Sequence, residues 1–82
     1  MSPEDEKYYE NYFDLFITDG WKQLVEDVSS ILSTHRIEDI QDENSLFYLK
    51  GERAALSRIV NFEDSIKRVY DEIKEYDDAP QV

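Results

Sequence analysis

The sequence predicts an all-α protein: a helical hairpin of two longer helices plus a short N-terminal aromatic helix, completed by self-association into a bundle. Between Ala55 and Tyr76 the apolar residues recur at alternating spacings of four and three, the heptad pattern of a packed helix. The stretch from Trp21 to His35 repeats this rhythm, so the two segments can pair as an antiparallel hairpin. A strong helix start, Ser2-Pro3 followed by three acidic residues, opens the chain.

The first helix is predicted from Pro3 to about Ile17. Ser2 can cap its N-terminus, and the acidic residues of its first turn complement the positive end of the helix dipole. Its broad apolar face is aromatic, and it consists of Tyr8, Tyr9, Tyr12, Phe13, Leu15 and Phe16. We expect this helix to fold across one end of the hairpin.

The second helix begins after the sequence Thr18-Asp19-Gly20, in which either Thr18 or Asp19 can act as the N-cap. Gly20 is compatible with a bend or with a complete break. The predicted apolar stripe comprises Trp21, Leu24, Val28, Ile31 and His35, flanked by Val25 and Leu32. From His35 to Asn44 the periodicity weakens, and Ile37 and Ile40 stand among acidic residues, so we predict a connector there.

The third helix is predicted to start at an Asn44 or Ser45 cap and to end near Tyr76. Gly51 within it suggests a close approach of two helices. Asn61, with Asp64 three residues later, matches a second helix cap, so a kink or a restart at Asn61 is left open. We therefore predict one helical domain over residues 1–78 and a frayed tail over residues 79–82.

Composition indicates a folded chain with a thin margin of stability. Twenty acidic and nine basic residues among 82 give a net charge of −11, whose self-repulsion opposes compaction. A chain of this length buries only roughly 60–65% of the surface that its unfolded form exposes. Burial in an assembly would offset both costs, so we expect a homo-oligomer, with a dimer as the first guess. The lack of cysteine excludes disulfides and thiolate zinc sites.

No pattern of residues predicts catalysis. His35 is the only histidine and has no paired nucleophile, so a helix-terminal structural role is the simpler interpretation. The carboxylates of Glu38, Asp39, Asp42 and Glu43 do not follow the EF-hand pattern, and two glycines cannot build a phosphate loop. We expect a non-enzymatic protein with no catalytic residues, no cofactor and no metal.

Charge and aromatic residues favour protein partners. Basic residues of the C-terminal half alternate with acidic ones, which predicts ion pairing rather than direct nucleic-acid binding. Tyrosine and tryptophan are enriched at interface hot spots. The predicted partner or self-association interface comprises Tyr8, Tyr12, Leu46, Phe47, Ile59, Phe62, Ile66, Val69 and Ile73. An alternative is that the acidic body acts as an inhibitor or DNA mimic that occupies a nucleic-acid-binding protein.

Two segments of the chain resemble small acidic proteins of T7-like podoviruses, the marine ones especially. The first covers residues 3–10 (PEDEKYYE) and continues through residues 12–16 and 20–23. The second covers residues 46–53 (LFYLKGER), followed by Leu56 and by residues 59–63. Similar chains can carry a proline before the glutamate at this point, where Phe62 stands here, so the resemblance leaves open whether the last helix breaks.

The resemblance implies a phage setting without a mechanism. Together with the helical pattern it suggests a small virion, assembly or accessory factor that contacts a phage or host protein. The alternative inhibitor would bind a host nucleic-acid-binding protein. The acidic N-terminus lacks the basic residues of a targeting signal, and no apolar run is long enough for a membrane span. We therefore expect the protein in the cytoplasm of the infected host cell or in the virion, with no membrane partner.

Overall fold

The computed structural model describes residues 1–35, 38 and 40–80, and this part of the chain is all-helical. Its four helices are α1 (Pro3–Phe16), α2 (Asp19–Thr34), α3 (Glu43–Val60) and α4 (Phe62–Asp78). The predicted all-α class is confirmed. Parts of two predictions, Ile37 and Asp39 in the acidic connector and Gln81 and Val82 in the tail, lie outside the described residues.

The first two helices begin at side-chain caps. The Ser2 hydroxyl accepts a hydrogen bond from the backbone N–H of Asp5 at 3.1 Å. Thr18, rather than Asp19, caps α2, because its hydroxyl oxygen accepts from the N–H of Trp21 at 3.2 Å. Gly20 lies within α2, so the break between the two helices falls at Ile17 and Thr18.

The cap of α3 lies earlier than the sequence suggested. Asp42 is the N-cap, and its carboxylate accepts hydrogen bonds from both the N–H and the hydroxyl of Ser45, at 2.7 and 2.9 Å. The two carboxylate oxygens of Asp42 accept one donor each, and Ser45 is the residue that supplies both donors. The prediction of an Asn44 or Ser45 cap was therefore wrong by two or three residues.

The long C-terminal helix is interrupted at one residue, Asn61. Backbone hydrogen bonds still cross this point, from Asn61 N–H to the Ser57 carbonyl and from Ser65 N–H to the Asn61 carbonyl, both 3.0 Å. The Asn61 side chain makes no capping hydrogen bond. The structure thus has two helices where the sequence left a kink or a restart open, and α3 and α4 form one interrupted arm.

The helices α2 and α3 form the main antiparallel contact of the fold. Half-buried residues of α3 that recur at spacings of three and four face α2, namely Leu49, Arg53, Leu56 and Val60, and Leu46 continues this strip beyond the end of α2. Near the far end of α2, Arg53 Nη1 donates to the carbonyl oxygen of Leu32 at 2.8 Å. The predicted hairpin is present, with α3 rather than the whole C-terminal arm as the partner of α2.

We expected the aromatic helix α1 to fold across one end of this hairpin, and this expectation was wrong. It runs alongside α4, antiparallel to it: Tyr9 contacts Tyr70, with ring centroids 5.4 Å apart, and the N-terminal amine binds the Asp77 carboxylate at 2.6 Å. The aromatic side chains of α1 find their cover on α4, beyond the point where α2 ends. The chain is therefore one long hairpin, with α1 and α2 in one arm and α3 and α4 in the other.

Gly51 does not mark a close approach of two helices within the chain. A Cβ placed on Gly51 would meet no atom within 4 Å, and the residue is exposed. The interpretation of Gly51 as an intramolecular contact point was wrong, because Arg53 and its neighbours at helical spacing face α2 instead.

The molecule is long and thin. Its Cα envelope measures 58 × 34 × 17 Å and its radius of gyration is 17.8 Å, whereas a compact 82-residue chain has about 12 Å. The hairpin places only two helices side by side at each level, and two helices cannot enclose a core between them. None of the described helices is long and apolar enough to cross a membrane.

Candidate interaction surface

An aromatic cluster joins the two arms at the level where both are interrupted. Phe62, the first residue of α4, lies at its centre, with ring centroids 5.1 Å from Tyr12, 5.9 Å from Phe16 and 6.2 Å from Trp21. These rings meet mostly edge to face, the arrangement that the charge distribution of aromatic rings favours. The cluster extends between α1 and α4 to Phe13 and Tyr70, whose ring centroids are 5.0 Å apart. It fixes α1, α2 and α4 relative to one another.

A polar contact closes the cluster on one side. Trp21 Nε1 donates a hydrogen bond to Glu63 Oε1 at 3.1 Å, and Lys67 Nζ donates to Glu63 Oε2 at 2.6 Å. The hydrogen bond from Lys67, followed by that from Trp21, lowers the pKa of the Glu63 carboxyl below its ordinary value. The same pair raises the pKa of Lys67. Glu63 therefore stays ionised and satisfies the indole N–H beside the apolar rings.

The core of the described chain is small. Its buried residues are Tyr9, Phe16, Trp21 and Val28, all of which belong to α1 and α2. Neither α3 nor α4 has a buried residue. The apolar residues of the C-terminal arm are thus only half-covered by the rest of the chain.

One side of the hairpin carries exposed and half-buried apolar residues, which together we call the open face. It contains the heptad residues of α3 and α4 together with two residues of α2, namely Ala55, Ile59, Phe62, Ile66, Val69, Ile73, Tyr76, Leu24 and Ile31. Leu24 and Ile31 are 47% and 45% exposed, and Val69 and Tyr76 are also exposed. The apolar surface runs from the middle of the hairpin toward both of its ends.

A shallow groove lies in the middle of the open face. It has a volume of about 270 Å³ and is lined by Trp21, Leu24, Arg58, Ile59 and Phe62. Since these residues come from α2, α3 and α4, the groove shows that Leu24 and the heptad residues share one side of the hairpin. A second groove of about 330 Å³ on the other side of Trp21 includes Lys22, Glu63 and Asp64 and is more polar.

The predicted interface residues divide between this face and other places. Ile59, Phe62, Ile66, Val69 and Ile73 lie together on the open face. Tyr12 contacts Phe62 at the edge of the face, and the half-exposed Tyr8 contacts Tyr12, with ring centroids 5.2 Å apart.

Leu46 and Phe47 do not join that group. Leu46 continues the strip of α3 that faces α2, and Phe47 is 62% exposed near the start of α3, away from the heptad positions. The structure therefore brings together seven of the nine predicted residues, counting Tyr8 and Tyr12 at the edge of the face.

Sequence reasoning missed Leu24 and Ile31 as surface residues. It placed both on the inner stripe of the second helix, but Val25 and Leu32 are the residues turned toward α3. The strip of Trp21, Val25, Val28, Leu32 and His35 is as regular as the predicted one. The two strips share Trp21, Val28 and His35, so together they form one wide apolar face. A face wider than one partner helix covers is the signal that some of its residues stay exposed.

Polar side chains elsewhere have structural roles. His35 is the C-cap residue of α2 and is half-buried, with Nε2 4.0 Å from Glu52 Oε1. Arg53 binds the end of α2 through the Leu32 carbonyl rather than an acidic residue. Within the described residues, no group of three or more histidine or acidic side chains is arranged to hold a metal ion.

The exposed surface is larger than a compact chain of this mass would have. The accessible area is 6717 Å², whereas a compact monomer of 9.8 kDa exposes about 5,200 Å². The difference, about 1,500 Å², lies within the range of roughly 1,000–2,500 Å² per chain that obligate interfaces bury. The elongated hairpin thus leaves more surface exposed than a compact chain of the same mass. In comparisons with protein-family models, curated proteins and solved structures, no match to this chain is found.

Proposed function

We propose that the chain is a non-enzymatic protein that acts through helix-mediated protein contacts. The observation that carries this proposal is the open face, a set of exposed and half-buried apolar residues with an apolar groove at its centre. Exposed apolar surface of this extent is typical of interaction sites in small proteins. The polar side chains described above hold helix ends and ring edges in place, which is a structural use.

The resemblance to small acidic proteins of T7-like podoviruses directs the proposal to a phage setting. In that setting the chain is a small virion, assembly or accessory factor whose partner is a phage or host protein. Mass spectrometry of purified virions, with the non-structural proteins of the same infection as the negative reference, tests the virion role. If the chain is found in virions at a constant ratio to known capsid proteins, this result supports the virion role.

Affinity capture tests the contact itself. The tagged chain is expressed during infection beside two variants, Leu24→Lys on the open face and Ser29→Lys on an exposed polar position of the same helix. A partner that binds the wild type and Ser29→Lys but not Leu24→Lys supports the proposal. Equal capture by all three chains, each with unchanged helicity by circular dichroism, contradicts it.

A second candidate function is an acidic inhibitor or DNA mimic directed at a host nucleic-acid-binding protein. The net charge of −11 and the exposed carboxylates of α4, Asp64, Asp71, Glu72, Glu75, Asp77 and Asp78, support it. Binding through these groups would weaken steeply with salt, since exposed charges are screened beyond about 8 Å at physiological ionic strength. The affinity of a complex that binds through the open face would change little with salt concentration. A salt titration of any captured complex therefore separates the two candidates.

A further inference from the structure

We propose that the open face binds a second copy of this chain, with the two C-terminal arms antiparallel and Arg58 of each copy opposite Glu72 of the other. This inference rests on the proposed function, because it names the first partner of the same surface. The occupant is a second copy because area, periodicity and charge each fit one.

The surface area that one hairpin leaves exposed fits a second copy. One hairpin presents two helices side by side and leaves about 1,500 Å² more surface exposed than a compact monomer does. Two hairpins stacked through their open faces make an antiparallel four-helix bundle, in which every helix has two neighbours. A dimer therefore removes the excess surface with no additional partner.

The heptad residues between Ala55 and Tyr76 are only partly covered within the chain. The helix α3 packs on α2 through a different strip, which includes Leu49, Arg53 and Leu56. The helix α4 contacts α1 through Phe62 and Tyr70, and it leaves Val69 and Tyr76 exposed. Yet the heptad spacing continues across Asn61 without a change of phase, over two helices that have different intramolecular partners. A spacing shared by both helices allows one long straight element to lie along the side of both that the chain leaves exposed. The same arm of a second copy, running antiparallel, is such an element.

The register follows from the flanking charges. In an antiparallel pair of heptad faces, core residues alternate across the interface, so Ile59 lies against Val69 of the second copy and Phe62 against Ile66 of the second copy. The exposed residues Arg58 and Glu72 directly precede Ile59 and Ile73. In this register Arg58 of each copy lies opposite Glu72 of the other copy, so the dimer has two such pairs. Ser65 then meets Ser65 of the second copy at the two-fold axis.

Other registers lose this match. A shift by one heptad in either direction places Arg58 or Glu72 opposite Ser65 instead of opposite a charge. A parallel pair in register brings Glu72 toward Asp77 of the second copy, and two acidic residues repel. The antiparallel register centred on Ser65 is therefore the one that joins opposite charges, which a chain with a net charge of −11 requires to offset the repulsion between copies.

Sedimentation equilibrium on charge variants tests the register. Arg58→Glu and Glu72→Arg should each raise the dimer dissociation constant about tenfold, because each turns two attractive pairs into two repulsive ones. The double variant should return it to within about threefold of the wild type. Glu72→Arg is informative because it lowers the net negative charge and should still weaken the dimer. Arg68→Glu, an exposed change of equal charge outside the face, should leave the constant within about threefold.

Cross-linking provides a second readout that does not depend on charge. The chain has no cysteine, so Ser65→Cys introduces a single thiol, which a short bifunctional maleimide should join into a covalent dimer. Ser29→Cys, on the exposed polar side of α2, is the matched control and should stay monomeric.

A monomeric wild type, a double variant that stays as weak as its parents, or cross-linking through Ser29 rather than Ser65 would each overturn this inference. A monomeric wild type would leave the open face free for a phage or host protein, and the capture experiment tests that contact separately. Conversely, an intact dimer with no captured partner would count against the proposed function and leave the dimer standing.

Discussion

The indole N–H of Trp21 donates a hydrogen bond to the Glu63 carboxylate at 3.1 Å, and this contact connects the first turn of α2 with the first turn of α4. The two residues are 42 positions apart in the sequence and lie beside the interruption in each arm. The contact therefore fixes the level at which the two arms of the hairpin are aligned.

Replacing Trp21 separates the packing of its ring from its hydrogen bond. Trp21→Phe keeps an aromatic ring and should lower the free energy of unfolding by about 1–2 kcal/mol, through the lost hydrogen bond and the smaller ring. Trp21→Ala should lower it by about 3–5 kcal/mol, because it opens a cavity in the aromatic cluster. Urea unfolding followed by circular dichroism measures both. Equal losses for the two variants would show that the cluster does not align the arms.

The ionisation of Glu63 gives a pH dependence with a definite sign. The pKa of Glu63 is lowered in the folded chain, so its stabilising effect is present above its ordinary value of 4.5 and is lost as the pH falls through the lower folded value. Glu63→Gln should therefore be less stable than the wild type at pH 7, and the difference should shrink below pH 4.5.

Urea midpoints of both chains measured across this range check that prediction. The difference between the chains is the informative quantity, because protonation of the other carboxylates also reduces the self-repulsion of both. A difference that grows as the pH falls would contradict the assigned role of Glu63.

The N-cap of α3 offers a test with a close control. Asp42→Ala removes the carboxylate that holds the N–H and hydroxyl of Ser45, and it should lower the Tm by roughly 5 °C. Asn44→Ala changes an exposed residue two positions later and should shift the Tm by less than about 2 °C. Thermal unfolding by circular dichroism compares the two, and a larger effect at Asn44 would restore the cap that the sequence suggested.

Arg53 anchors the end of α2 to α3 through the Leu32 carbonyl. Arg53→Met keeps much of the aliphatic length but loses the donor, so it should cost about 1–2 kcal/mol of unfolding free energy. Amide hydrogen exchange should locate the effect in the last turn of α2. Lys50→Met, at an exposed position on the same helix, is the control, and exchange that changes equally in both variants would argue against a specific contact.

Much of the fold could be predicted from the sequence because it depends on local rules. Helical spacing and caps such as Ser2 and Thr18 identify the helices, and Asn61 was recognised as a weak point. The place of α1 could not be predicted, because Phe62 and Tyr70, the aromatic residues that cover it, lie far along the chain. Phe62 belongs to the strip that was assigned to the hairpin with α2, and Tyr70 lies outside that strip.

The candidate surface was predicted in part. The heptad residues from Ile59 to Ile73 lie together on the open face, since a helix places such residues on one side. Which side of α2 faces inward could not be predicted, because Leu24 and Ile31 are as regular as Val25 and Leu32. Only the contacts with α3 distinguish the two strips.

A single charge introduced at Ile66 tests whether the open face is buried in the dimer. Ile66→Asp places a carboxylate among the heptad residues, and it should dissociate the dimer or lower the helicity, because burial of an unpaired charge is costly. Ser29→Asp adds the same charge at an exposed polar position and should change neither. Circular dichroism and light scattering on both variants provide the comparison, and an Ile66→Asp chain with unchanged helicity and mass would contradict the role of the face.

The mass of the wild-type chain in solution shows whether a hairpin with an uncovered apolar face completes its core with a second copy. Sedimentation equilibrium from low to high micromolar concentrations should give twice the chain mass of 9.8 kDa, with dissociation only at the lowest concentrations. A chain that is fully helical and keeps a mass of 9.8 kDa at every concentration would contradict the proposed dimer.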